Sequence, residues 1–196
     1  MASPRERMVK SAAVLIRERG GHPTAIADVL EHSRSPRGSA YHYFPGGRTQ
    51  LLCEAVDYAG RHLSSLIEGA ASSVEAIDAF IGDYRQQLLS TGFRAGCPVA
   101  AVVVEAGNPD DAINVTPTIE HAAAVFDQWT ALIAQYLTAD GVPSARSRDL
   151  ALFVTASVEG AIVLARAYRN IEPLDLVHAR LSEMVGTVLC EATVKD

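Results

Sequence analysis

Residues 24–48 restrict this chain more than any other stretch. Two short helix-forming segments lie there with almost no sequence between them. Thr24 to Glu31 carries an apolar face of Ile26, Val29 and Leu30, with Thr24 in the N-cap position. The second segment starts at Ser35-Pro36 and passes through Gly38-Ser39-Ala40. It ends in Tyr41-His42-Tyr43-Phe44, ahead of Pro45-Gly46-Gly47-Arg48. A helix of barely two turns buries little on its own, so polar aromatics and arginine crowded onto it imply a surface that touches another molecule. Pro4 to Arg19 reads as a longer helix behind them, with Met8, Ala12, Leu15 and Ile16 at helical spacing and Gly20-Gly21 at its end. A supporting helix, two short helices and a tight turn make a helix-turn-helix, whose second helix enters the major groove of duplex DNA.

Charge supports this placement. Residues 1–50 hold eight Lys and Arg against four acids, a balance of +4 in a chain whose net charge is −6, which leaves −10 for the rest. A basic head on an acidic body suits a small DNA-binding domain joined to one that stays off DNA.

Residues 47–196 also read as helical, and 48% hydrophobic content in the whole chain supplies a substantial core. A fourth helix from about Gly47 to Gly69 carries Leu51, Leu52, Ala55, Ala59, Leu63 and Leu66. A fifth near Val74 to Ser90 carries Ile77, Phe80, Ile81, Tyr84 and Leu88. Pro98 opens a sixth that stops near Gly107-Asn108-Pro109. A seventh near Thr118 to Thr138 aligns Ala122, Phe126, Trp129, Ile133 and Tyr136; Gly141-Val142-Pro143 is a turn. An eighth covers Ser144 to Arg169. Pro173 starts a ninth with Leu174, Val177, Leu181, Met184, Val185 and Val188 on one face. The expected fold is all-α: a three-helix head over residues 1–46, and a helical body over 47–196 whose last two helices are long, apolar and in need of a partner surface.

Several function classes find no support. No nucleophile elbow, glycine-rich phosphate loop, metal-ligand cluster or cofactor motif is present, so no enzyme, metal site or cofactor is expected. Cys53, Cys97 and Cys190 sit in apolar helical surroundings and read as buried free thiols of a reducing, cytoplasmic setting. A redox-sensing Cys97 requires an exposed, activated thiolate. The N-terminus lacks the apolar region of a signal peptide. Leu150 to Tyr168 is nearly long enough to span a bilayer, but Thr155, Ser157, Glu159 and Arg166 interrupt it, and a buried or dimer-forming helix accounts for it better.

The pattern resembles the TetR family of bacterial transcriptional regulators. The resemblance rests on Thr24-Ala-Ile-Ala-Asp-Val-Leu, Gly38-Ser-Ala-Tyr-His-Tyr-Phe and Gly47-Arg-Thr-Gln-Leu-Leu. Ser35-Pro36-Arg37-Gly38-Ser39 and Phe44-Pro45-Gly46-Gly47 look most like the LmrA and YxaF subgroup, as do Gly96-Cys97-Pro98-Val99-Ala100-Ala101 and Glu159-Gly160-Ala161. The resemblance implies a homodimer paired through the last two helices, bound to a palindromic double-stranded operator and released by a small hydrophobic or aromatic effector. Repression is the family's usual mode; activation by the same fold, or a ligand-binding dimer with a degenerate head, are the alternatives.

The candidate DNA contacts are Thr24, Arg34, Ser35, Pro36, Arg37, Ser39, Tyr41, His42, Tyr43 and Arg48. Arg37 suits bidentate pairing with guanine O6 and N7, or else a phosphate. Gly38 reads as close approach or core packing. The resemblance implies that Tyr41 donates its hydroxyl to phosphate while its ring packs, that His42 meets base or backbone, and that Tyr43 replaces a phosphate-binding histidine. It also implies that Arg48, where lysine is usual, clamps the backbone, displaced by a Pro-Gly-Gly connection one residue longer than the common form. Thr24 is expected to meet phosphate at its helix N-terminus, and Phe44 to be core. Arg34 falls where the helix-turn-helix turn usually has glycine, so it is expected to be left-handed and to touch phosphate.

For the effector, the resemblance implies a pocket within helices four to eight, and the candidates are His62, Tyr84, Phe93, Cys97, Glu105, Phe126, Trp129 and Glu159. Tyr84 and Trp129 suit stacking on an aromatic ligand, or plain core. His62 reads either as a hydrogen-bonded core residue or as a ligand contact. Glu159 inside an apolar helix needs a partner, either in a pocket or across the dimer interface.

Overall fold

A computed structural model describes residues 3–105 and 112–193. The described residues form nine helices and no strand: α1 Pro4–Arg19, α2 Ile26–Ser33, α3 Ser39–Tyr43, α4 Gly47–Glu68, α5 Ser73–Ser90, α6 Pro98–Val104, α7 Ala112–Ala139, α8 Ser144–Tyr168 and α9 Glu172–Thr193. The all-helical expectation holds. Three boundaries differ from the sequence reading. The helix begun at Ser35-Pro36 starts at Ser39, because Pro36 to Ser39 closes a turn in which the Ser39 N–H donates to the Pro36 carbonyl. Thr24 is not the cap of α2; Ala25 is, and its N–H donates to Asp28 at 2.9 Å. Helix α7 begins at Ala112 and carries Pro117 near its start, where a missing N–H removes a single intrahelical bond. The expected stop of α6 at Gly107-Asn108-Pro109 lies outside the described residues.

The chain divides into two compact units. The first comprises Met1–Arg61 and Cys97–Val125, so α6 belongs with the N-terminal helices. Its core is Met8, Ala12, Ile16, Val29, Phe44, Leu51, Val56 and Val99. Helix α1 starts with a capping box: the Ser3 N–H donates to the Glu6 carboxylate, and the Glu6 N–H donates to the Ser3 hydroxyl. Donation from the Ser3 backbone N–H, and then from its hydroxyl, holds the Glu6 carboxyl below the ordinary carboxylate range.

The second unit comprises His62–Gly96 and Phe126–Asp196. Helices α5, α8 and α9 pack on one another around Ile77, Phe80, Ile81, Leu88, Val154, Val158, Ile162, Leu174, Leu181 and Val185. Ile67 fills the place expected of Leu66, which is exposed. Helix α8 is long and apolar enough, by length and composition alone, to cross a membrane. Its buried stripe lies against α9. The opposite stripe of Phe153, Ala156, Gly160, Val163, Leu164 and Ala167 is exposed.

The thiols divide. Cys53 and Cys97 are buried as expected, but Cys190 is exposed, because α9 turns it away from the stripe carrying Val185 and Val188. Burial pushes the Cys53 thiol up, only partly offset by its hydrogen bond to Thr118, so it stays protonated at neutral pH.

Candidate nucleic-acid interface

Helices α2 and α3 are too short to fix their own geometry, so side chains from α1 and α4 do it. Beyond α3, the Gly46 N–H donates to Gln50 at 2.8 Å, Gln50 donates to Glu54 at 2.9 Å, and Arg5 of α1 reaches Glu54 at 2.6 Å. The same guanidinium lies 5.5 Å over the ring of Phe44, which is buried as expected. Gly47 opens α4 with φ +67°, a conformation that favours glycine. Before α2, Arg19 pairs with Asp28 at 2.7 Å. The tip of α3 is thus tied to α1 and α4, which leaves its outer side free to meet a ligand.

The candidate residues separate into two groups. Arg34, Ser35, Arg37 and Tyr41 come together, lining a surface cleft of about 690 Å³ with Ile26, Ala27, Leu30 and Glu31. The Arg34 and Arg37 side chains are exposed and have no ion pair among the described residues, unlike Arg5 and Arg19. Tyr41 is 72% exposed, so its ring does not pack as expected; α3 points it outward beside Arg37. His42 is also exposed and stands edge-on to half-buried Tyr43, with ring centroids 5.1 Å apart. Pro36 is exposed in the turn before α3, and the Ser39 hydroxyl donates to its carbonyl at 2.6 Å. Gly38 has open space where a Cβ would stand, which removes the core-packing reading.

Thr24 and Arg48 do not join the cleft. Thr24 is 1% exposed, and its hydroxyl donates to the Gly20 carbonyl at 2.7 Å, so it locks the α1–α2 turn and presents nothing to a phosphate. Arg48 donates to the carbonyls of Thr24, Gly21 and His22 at 3.0, 2.6 and 3.0 Å. Where the resemblance implied a clamp on the DNA backbone, the structure turns these Arg48 donors to the protein's own turn. Sequence reasoning missed Ala27 and Glu31, which also line the cleft; both are exposed positions one helical turn apart on one face of α2.

Arg34 has φ +52° and ψ +41°, the left-handed conformation expected of that turn. Arg34→Gly is therefore expected to stabilise the fold by about 1 kcal/mol. It should also weaken operator binding and reduce the salt dependence by about one phosphate's worth, roughly 0.9 in the slope of log K against log salt. Thermal melts and anisotropy titrations read both; tighter DNA binding by the variant rejects the phosphate contact.

The effector candidates are also redistributed. Tyr84, Phe126 and Trp129 share one aromatic cluster with Phe80, at centroid separations of 5.6–5.8 Å, and Tyr84 and Trp129 are buried. His62 is not on an apolar face: its ring is exposed and lies 3.2 Å from Asp83, since α4 turns it to the surface. Phe93 is half-buried in a left-handed turn after α5. Cys97 caps α6, its sulfur accepting the Ala100 N–H. Glu105 faces the α1–α2 turn, accepting the His22 N–H at 2.6 Å, because α6 ends against that turn. Both carboxylate oxygens of Glu159 are buried. A groove of about 750 Å³ lined by Asp127, Thr130, Ala134, Gln135, Ser144 and Arg148 lies on the second unit, and none of the candidates lines it. No cluster of metal ligands occurs among the described residues.

Comparison with known proteins establishes the family and the fold. Residues 73–180 match the family described as transcriptional regulator LmrA/YxaF-like, C-terminal domain. The HTH-type transcriptional regulator Rv0196 of Mycobacterium tuberculosis (strain ATCC 25618 / H37Rv) is 62% identical, over 97% of this chain and 98% of its own length. The HTH-type transcriptional regulator LmrA of Bacillus subtilis (strain 168) is 27% identical over 87% and 90%. Among solved structures, a TetR transcriptional regulator from Legionella pneumophila superposes with a TM-score of 0.82 at 18% identity, covering 94% of this chain and 98% of that one. The TetR family regulator CifR, solved as a cysteine mutant with a 26 bp double-strand operator DNA, superposes with a TM-score of 0.70 at 21% identity, covering 92% and 96%. These relatives are regulators rather than enzymes, and this chain belongs with them to the TetR family of DNA-binding transcriptional regulators, in its LmrA/YxaF-like branch.

Proposed function

We propose that this protein is a cytoplasmic, ligand-responsive repressor that grips a palindromic operator as a homodimer and is released by a small hydrophobic or aromatic effector. Residues 1–46 serve as the reading head and residues 47–196 bind effector and pair the subunits. The carrying observation is the cleft of Arg34, Ser35, Arg37 and Tyr41, where exposed arginines stand beside a surface tyrosine on a rigidly tied helix pair. Arg37 reads a guanine edge, while Arg34, Ser35, Pro36, Ser39, Tyr41, His42 and Tyr43 position the head on backbone or flanking bases. The exposed apolar stripe of α8, with α9, supplies the pairing surface. The two heads then meet half-sites about one helical turn apart, on the order of 34–36 Å. An effector lowers operator affinity only to the extent that it binds the DNA-incompatible arrangement more tightly.

A mobility-shift titration with DNA from upstream of the protein's own gene tests this. A specific shift on a palindrome is expected, with log K falling by roughly 0.9 per phosphate neutralised. Affinity indifferent to salt contradicts the reading. A reporter fused to that promoter separates repression from activation.

A further inference from the structure

The turn between α1 and α2 is gripped from two sides by opposite charges. Arg48 holds three of its carbonyls, and the carboxylate of Glu105 accepts the His22 N–H at 2.6 Å. The peptide groups on either side of His22 are therefore fixed at once, by a guanidinium on the carbonyl and a carboxylate on the amide. The carboxylate lies close against two glycines. Gly20 has φ +96°, and a Cβ there would collide with Glu105 Oε1; at Gly21 a Cβ would lie 3.2 Å from both Glu105 Oε2 and Val102 Cγ1. Thr24 completes the grip through the Gly20 carbonyl. Two residues beyond Thr24, α2 begins, carrying Ala27, Leu30 and Glu31 to the reading cleft.

Glu105 is the C-cap of α6. An acid there opposes the helix dipole, so nothing in the stability of α6 favours it. Its charge-assisted hydrogen bond acts instead on a turn 83 residues away in sequence.

We propose that Glu105 is a positioning residue for operator recognition. From the end of α6 it sets the α1–α2 turn, and with it the approach of α2 and α3 to the groove. It touches no DNA itself. The proposal rests on the DNA-binding reading above, and it gives α6 a direct hold on the head.

The test uses the full-length protein and two duplexes of equal length: one selected by the wild-type chain from a random library, and one of scrambled sequence. Glu105→Ala is expected to weaken binding to the selected duplex about tenfold while the scrambled duplex changes less than about twofold, since the free cations remain but their register is lost. Glu105→Gln, whose amide oxygen still accepts the His22 N–H, should recover most of the loss. Exchange of the His22 amide should quicken in the alanine variant only. Should that variant fail to fold, Glu105→Asp keeps the charge and withdraws the oxygens by one methylene, and the same ratio is read. Unchanged affinity for the selected duplex, an equal loss on both duplexes, or a glutamine variant as weak as alanine each overturns the proposal. If the wild-type chain selects no duplex, the DNA-binding reading fails first, a result distinct from any of these.

Discussion

Replacing Phe153 and Leu164 together by aspartate is expected to leave the protein monomeric and to weaken operator binding by more than about a hundredfold. The two positions lie three turns apart on the exposed stripe of α8, with Ala156 and Gly160 between them. In the single chain the two are 54% and 46% exposed, so neither belongs to the buried core and the substitutions cost the fold far less than they cost a covered interface. A contiguous apolar face of this kind marks an interaction surface, and Gly160, with open space where a side chain would stand, leaves room for another helix to come close. Aspartates in such an interface bury unpaired charge at several kcal/mol. Loss of pairing then removes the gain from holding two heads on one duplex. Sedimentation velocity and anisotropy at matched salt read the two effects, and the melting temperature extrapolated to low protein concentration should hold. A double variant that stays dimeric and binds normally places the pairing surface elsewhere.

The sequence made the head legible because its constraints are local. Helix spacing in Met8, Ala12 and Ile16, the Gly20-Gly21 stop and the crowded Tyr41 to Phe44 patch each act within a few residues, and the left-handed turn at Arg34 is what the family resemblance implied. Side-chain destinations were not local. Arg48 and Thr24 have the chemistry to hold phosphate, but they turn inward, because the carbonyls that receive them lie 24 to 27 residues away for Arg48 and across a turn for Thr24. Glu105 shows the same limit, as nothing near it in sequence announces a partner 83 residues upstream. His62 and Cys190 erred for another reason: each sits beside apolar residues in sequence but on the outer side of its helix, and a rotation of one residue decides between core and solvent. The body yields its periodicity to inspection but not its cavities, because a pocket depends on how distant helices splay.

Trp129→Ala is expected to destabilise the fold by about 3–5 kcal/mol, among the largest effects of any single substitution in the second unit. The indole is fully buried. It meets Phe80 at 5.6 Å with a tilt of 57° and Phe126 at 5.6 Å nearly edge-on, geometries that add attraction beyond area alone. Truncation leaves a cavity that Ile133 and Leu137, locked on the same helix, cannot collapse to fill. For a chain of this size the melting temperature should fall by about 2–4 °C per kcal/mol. Trp129 is the single tryptophan, so its own fluorescence follows unfolding of the wild-type chain, whereas far-ultraviolet circular dichroism must follow the variant. The magnitude also discriminates between the two roles open to this residue. A side chain that walls an effector pocket already faces empty space on one side, loses fewer contacts on truncation and costs little. A loss below about 1 kcal/mol, with binding of an aromatic probe abolished, therefore assigns Trp129 to the ligand. The full loss assigns it to the core.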